Sequence, residues 1–221
     1  MSETPSGTTR RTVLTSAGIA GAAGLGMTAP TTSAQGGVAL GRPGETVVEF
    51  RGRIIQSGSA GETFTSNGFL TAVAGLTPAD LFAGSPPAVG TALYTAHASG
   101  ELAARVLDQS VHALDIAGEL SVYRRAAPGA DWSAPGSFTT GALVARYTLT
   151  LQDVLAVFAP GNGLPTLTGE MAQSAAGRVP GAGRFGAPGT LLRMFATGLG
   201  QLVDPVTLNA ELEIAGNWSV P

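Results

Sequence analysis

The chain has 221 residues, 44% of them hydrophobic and 12% charged, with a formal net charge of −3. All 12 basic residues are Arg and there are 15 acidic ones, a balance that argues against a nucleic-acid partner, which normally meets a basic face. There is no Cys and there are only 2 His, which removes disulfides, thiolate nucleophiles, Cys-ligated metals and His-rich metal sites. The 32 Gly and 14 Pro stay below the roughly 25–30% combined share of low-complexity chains, and charge-rich helical proteins carry about twice this charge. A folded, turn-rich domain is expected.

Residues 1–34 read as an address label. Arg10 and Arg11 stand just ahead of a mildly apolar run, Val13 to Met27, and Thr32-Ser33-Ala34 supplies small residues suited to cleavage. This segment resembles a twin-arginine translocation signal. Gly18, Gly21, Gly24 and Gly26 argue against an ordinary first helix, since each costs about 1 kcal/mol relative to Ala. The run is also shorter than the ~20 apolar residues of a membrane span, and no later segment is longer, so no span is expected in the mature chain. The expected organisation is an export signal over 1–34, a flexible linker over 35–45 and one domain over 46–221, in an exported, extracytoplasmic protein.

From Thr46 onward, short β-rich runs alternate with Gly, Pro, Asn and Ser. Strands are predicted over Thr46–Gln56, Gly68–Ala74, Val89–Ala98, Ala103–Ile116, Glu119–Arg125, Ala142–Thr150, Asp153–Phe158, Leu167–Arg178, Thr190–Gly200 and Thr207–Trp218. In the first of these, Val48, Phe50, Gly52 and Ile54 share one face while Glu49, Arg51 and Arg53 take the other. Pro78–Phe82 is predicted as a short helix with Thr77 as its N-cap and Pro78 at the first helical position. The Gly-rich stretch Ala175–Pro188 is predicted as a long mobile loop, either a lid over a barrel mouth or a solvated connection.

Eight to ten strands without long helices leave a β-sandwich or a closed barrel. Interior glycines at Gly52, Gly169 and Gly198 suit bends at barrel corners, which favours an all-β, antiparallel closed barrel of about eight strands. Pro160-Gly161-Asn162-Gly163 reads as a hairpin turn, with Gly161 and Gly163 free to take positive φ.

Two runs in the middle of the chain carry a resemblance. Tyr147 to Gly163, with Asp153 and Val157 inside it, is followed by Leu167-Thr168-Gly169-Glu170-Met171-Ala172-Gln173, and earlier patches run Val89-Gly90-Thr91-Ala92-Leu93-Tyr94 and Gly118-Glu119-Leu120-Ser121-Val122-Tyr123. Their order and spacing resemble the allene oxide cyclase and dirigent barrels. The resemblance implies a cavity that binds a hydrophobic small molecule and steers its cyclisation or coupling by shape, with a carboxylate and a phenol or water, no cofactor, and a dimer or trimer formed through outer apolar faces. The alternative is a non-catalytic secreted barrel that binds a ligand or serves as a structural module.

Candidate site residues follow from both arguments. Glu49 falls where allene oxide cyclases carry a Glu, and a buried carboxylate could act as general acid. Arg51 stands in place of the family's Asn and would pair with Glu49, either as a substrate contact or as a solvent-facing ion pair. Tyr147 is the candidate phenol, with Tyr94 as a further substrate contact. Read as one strand, Ala103–Ile116 puts Asp108, Ser110 and His112 on one face. A Ser-His-Asp relay fails there, because same-face neighbours on a strand sit about 6.5–7 Å apart. Asp108 and His112 remain as substrate contacts, with a metal set of His97, His112 and Asp108 as the rival and no metal as the preferred reading.

Overall fold

The computed structural model describes residues 42–57, 63–108, 110–206 and 209–221. The expected export signal lies outside the described residues, as does the linker up to residue 41. The rest of that linker is tied down: the Gly44 amide donates to the Val220 carbonyl at 2.8 Å, and Val220 returns a bond to Glu45 at 3.1 Å.

The strands are β1 (Thr46–Ser57), β2 (Thr63–Val73), β3 (Tyr94–Asp108), β4 (Val111–Arg124), β5 (Ala142–Ala159), β6 (Asn162–Ala176), β7 (Arg178–Val179), β8 (Gly183–Arg184), β9 (Leu191–Asp204) and β10 (Asn209–Ser219). Eight of them close into one antiparallel barrel in the order β1-β10-β9-β6-β5-β4-β3-β2, and β7 and β8 form a separate small ladder. The closed antiparallel barrel expected from the sequence is therefore observed. Closure comes from β1 pairing β10, with Phe50 opposite Gly216 and Ile54 opposite Leu212. No helix among the described residues is long and apolar enough to cross a membrane.

Burial follows the two-residue period. Along β1, Val48, Phe50, Gly52, Ile54 and Gln56 are buried while Glu49, Arg51, Arg53 and Ile55 are exposed. Along β5 the inward series is Tyr147, Leu149, Leu151 and Asp153. The strands are longer than expected, and two predicted breaks are not breaks. Gly118 lies inside β4 directly opposite Gly100 of β3, and Gln152 lies inside β5. At Gly118 the two backbones approach so closely that a Cβ would overlap the Ser99 carbonyl oxygen and lie 2.9 Å from Gly100 Cα. Glycine there serves the close packing of two strands rather than a turn. Gly118→Ala should cost about 1–3 kcal/mol, the range for overpacking a filled site. A thermal melt showing an unchanged midpoint would contradict this.

The predicted run Ala103–Ile116 is in turn divided, since β3 ends at Asp108 and β4 begins at Val111, the two residues being paired. Gly161 takes a φ of 73° in the β5–β6 turn as expected, whereas Gly163 lies in β6 and faces Gly200 of β9. The short helix α1 (Pro78–Leu81) forms where predicted. Its entry is held by the Thr77 amide and hydroxyl, both donating to Asp80 Oδ2 at 2.8 and 2.7 Å. The same bonds hold the Asp80 carboxyl below its usual range. Residues Val89–Thr91, expected to open a strand, form a 3-10 turn instead.

The stretch Ala175–Pro188 is not a solvated connection. It carries β7 and β8, and Val179 and Phe185 are buried in the main core. Gln173 Nε2 donates to the Phe185 carbonyl at 2.6 Å, and the Gly177 amide donates to Val144 at 2.7 Å. These contacts fold the segment over the barrel end formed by the start of β5 and the finish of β6. Trp218 and Tyr147 are buried at that end, ring against ring at 5.7 Å.

Candidate functional site

Two cavities occupy successive levels of the barrel axis. The inner one, about 40 Å3, is walled by residues including Phe50, Ile54, Ile116, Leu149, Leu151 and Trp218. The mouth cavity, about 180 Å3, lies at the opposite end from the Phe185 cover and is walled by Leu114, Leu155, Val157, Leu202 and Leu212. Its polar lining comes from Gln56, His112, Asn162 and Gln201. An eight-stranded barrel is just wide enough for its own side chains to fill it, and the small inner volume shows that here they nearly do.

Between the two levels stands a polar layer. Asp153 is fully buried, one inward step from Leu151 below and Leu155 above. Gln56, one inward step from Ile54, is also buried and donates from Nε2 to Asp153 Oδ2 at 3.4 Å, while Asp153 Oδ1 has no partner. Burial pushes the Asp153 carboxyl up to about 6, against weaker opposing effects of Gln56 and the Thr166 amide. Asp153 lines neither cavity as the layer stands, but a buried carboxyl with such a value can hold or release a proton near neutral pH.

The residues singled out from sequence divide between the two faces. Tyr147 points inward and is fully buried, its hydroxyl unpartnered and held above the usual phenol range by burial. It packs beneath the inner cavity against Trp218 and does not line it. His112 also points inward and lines the mouth cavity. Tyr94 is buried beside Arg124 with which it pairs; burial raises its hydroxyl, the charge of Arg124 opposes this, and it lines neither cavity.

Glu49 and Arg51 project outward and are exposed, because their positions on β1 are out of phase with Phe50 and Ile54. Neither reaches the interior. The ion pair on that face joins Arg53 to Glu213 at 2.8 Å, with the Arg53 guanidinium stacked 4.9 Å over Trp132. Asp108 is exposed opposite Val111, whereas His112 is paired with Leu107 and faces in. The turn between β3 and β4 inverts the parity that a single strand would have kept, so Asp108 and His112 do not share a face. His97 points outward to bond Asn67 at 2.9 Å and is paired with Ser121, far along β4 from His112. The set His97, His112 and Asp108 is thus dispersed, and no metal-holding cluster occurs among the described residues.

No family model, curated protein or solved structure matches this chain. The site is therefore read from its own residues. The two that matter most, Gln56 and Asp153, were not singled out from sequence. Their signal was present: each interrupts an alternating apolar series, Val48-Phe50-Gly52-Ile54-Gln56 and Tyr147-Leu149-Leu151-Asp153-Leu155, on its buried face.

Proposed function

We propose that this protein is an exported barrel that binds a hydrophobic small molecule through the mouth cavity. The observation that carries the reading is the largely apolar mouth cavity, with Gln56 and His112 among its few polar residues and a buried carboxyl in the layer beneath it, the usual composition of a ligand site. The Arg10-Arg11 segment supports export. The resemblance to allene oxide cyclase and dirigent barrels extends the proposal to a cyclase or stereocontrolling role, in which Asp153 rather than Glu49 is the inward acid. The reading needs no cofactor. The outward row Leu191, Phe195, Leu199 and Val203 along β9 supports a dimer or trimer in the same proposal.

Untargeted mass spectrometry of the organic extract of the purified protein should return an apolar, uncharged molecule. An empty extract, together with no displacement of an apolar fluorophore by any small hydrophobe, would sink the binding reading. The nearly filled inner cavity of about 40 Å3 favours a second reading, a carrier without turnover. A recovered molecule that Asp153→Asn retains and leaves unchanged, as the wild type does, would decide for the carrier.

A further inference from the structure

The mouth and inner cavities are walled by consecutive inward residues of the same strands: Gln56 then Ile54 on β1, Leu114 then Ile116 on β4, Leu212 then Ile214 on β10. What separates them is thin. On β5 the step between Leu155 and Leu151 is Asp153, and across the barrel only Gln56 meets it, through one long hydrogen bond of 3.4 Å. Gln56 is unbranched, with three side-chain torsions free to carry its amide toward the mouth. Below the layer, Gly52 and Gly68 face one another across β1 and β2 and both line the inner cavity. A Cβ at Gly68 would lie 2.6 Å from the Arg51 carbonyl oxygen, so no side chain can fill the space from there.

The chemistry of the lining narrows the occupant. No Arg lines either cavity among the described residues, so an anionic head would lose its hydration without gaining a fixed counter-charge. Asp153 Oδ1, fully buried and unpartnered, is an acceptor awaiting a donor. The inner cavity is small, about 40 Å3, with Trp218 in its lining, and an unbranched chain, having a smaller cross-section than a ring, suits it better.

Resting on the mouth-binding reading above, we propose that the Gln56–Asp153 layer is a movable partition. Its opening joins both cavities into one tube for an uncharged aliphatic chain bearing a hydroxyl, which donates to the free oxygen of Asp153. The apolar chain then runs toward Trp218, and the hydroxyl satisfies the Asp153 oxygen that lacks a partner.

Calorimetric titration with 1-octanol, octyl methyl ether and cyclohexanol tests this. For the wild type, 1-octanol should bind about tenfold or more tightly than the ether, which accepts but cannot donate, as expected for a hydrogen bond to a charged acceptor. In Asp153→Leu that ratio should fall to about one, the chain still being accommodated. Gln56→Ala, which removes the partition and the donor to Asp153 Oδ2 but leaves Oδ1 in place, should tighten octanol binding and keep octanol ahead of the ether. A crystal structure of the wild type with 1-octanol should place the hydroxyl within hydrogen-bond distance of Asp153, independently of how either variant folds. Equal affinities for alcohol and ether in the wild type would overturn the proposal. So would binding of cyclohexanol with exclusion of octanol, which would leave the mouth alone as the site. Binding of none of the three would overturn the mouth-binding reading as well.

Discussion

Asp153→Asn should stabilise the protein at neutral pH by up to about 3 kcal/mol, and the gain should vanish in acid. The carboxyl is raised from 3.8 in the unfolded chain to about 6 in the barrel, and each unit of displacement is worth about 1.4 kcal/mol. Because the folded state holds its proton more tightly than the unfolded state, the contribution is fully favourable below about pH 3.8 and is lost as pH rises through about 6. Most carboxylates in proteins work in the opposite sense. The cause is burial among apolar neighbours: Asp153 is paired with Leu114 on one side and Leu167 on the other, and only Gln56 reaches it with a side-chain donor. His112 is the other titratable group on that side of the layer. Asn has no proton to lose in this range and presents a similar shape, so the difference between variant and wild type isolates the carboxyl. Urea unfolding at about pH 3.5 and pH 7 measures it directly. A variant-minus-wild-type difference that is equal at the two values would show that the carboxyl is not desolvated as the barrel requires.

Trp218→Ala should lose about 3–5 kcal/mol, the range for emptying a large aromatic site. Trp218 is 1% exposed and is gripped by two rings, Phe50 at 5.8 Å and Tyr147 at 5.7 Å, at the covered end of the barrel. The three rings come from β1, β5 and β10, so the cavity left by Ala would open between strands that cannot collapse without breaking barrel closure. Its indole Nε1 is buried without a partner. Trp218→Phe gives up ring area but no hydrogen bond, and should cost much less than the Ala variant. Equilibrium unfolding of both variants checks the order. A loss below about 1 kcal/mol for Ala would mean that the site relaxes freely, contrary to the packing of a closed barrel.

The sequence by itself determined that the fold is all-β and, within each run whose ends were read correctly, which side chains share a face. A two-residue apolar period repeated in many short runs, with few positions able to sustain a helix, leaves an antiparallel barrel or sandwich, and the phase of each run assigns inside and outside. That is why the alternation of β1 was legible residue by residue and why Thr77-Pro78 announced the short helix: both are local properties of the chain. It also set the chemistry within reach, since a chain without Cys and with two His is left with carboxylates, Arg, phenols and amides.

Tertiary structure decided what phase alone could not. The turn between Asp108 and Val111 carries no strong Gly or Pro signal, and missing it placed Asp108 on the wrong face relative to His112. Gly118 looks like punctuation in the sequence, yet in the barrel it lies inside β4, where a Cβ would collide with the backbone of β3. Glu49 drew notice through a resemblance, while its parity on β1 faces it to solvent. The candidate site itself is a meeting of Gln56 and Asp153, separated by 97 positions in the chain. Each breaks an apolar alternation at its own strand position, but neither break names the other. Only closure, with β1 and β5 facing each other across the axis, removes water from around them both and turns one carboxyl into a group that titrates near 6. Desolvation belongs to the packed assembly of strands, and no local stretch of sequence contains it.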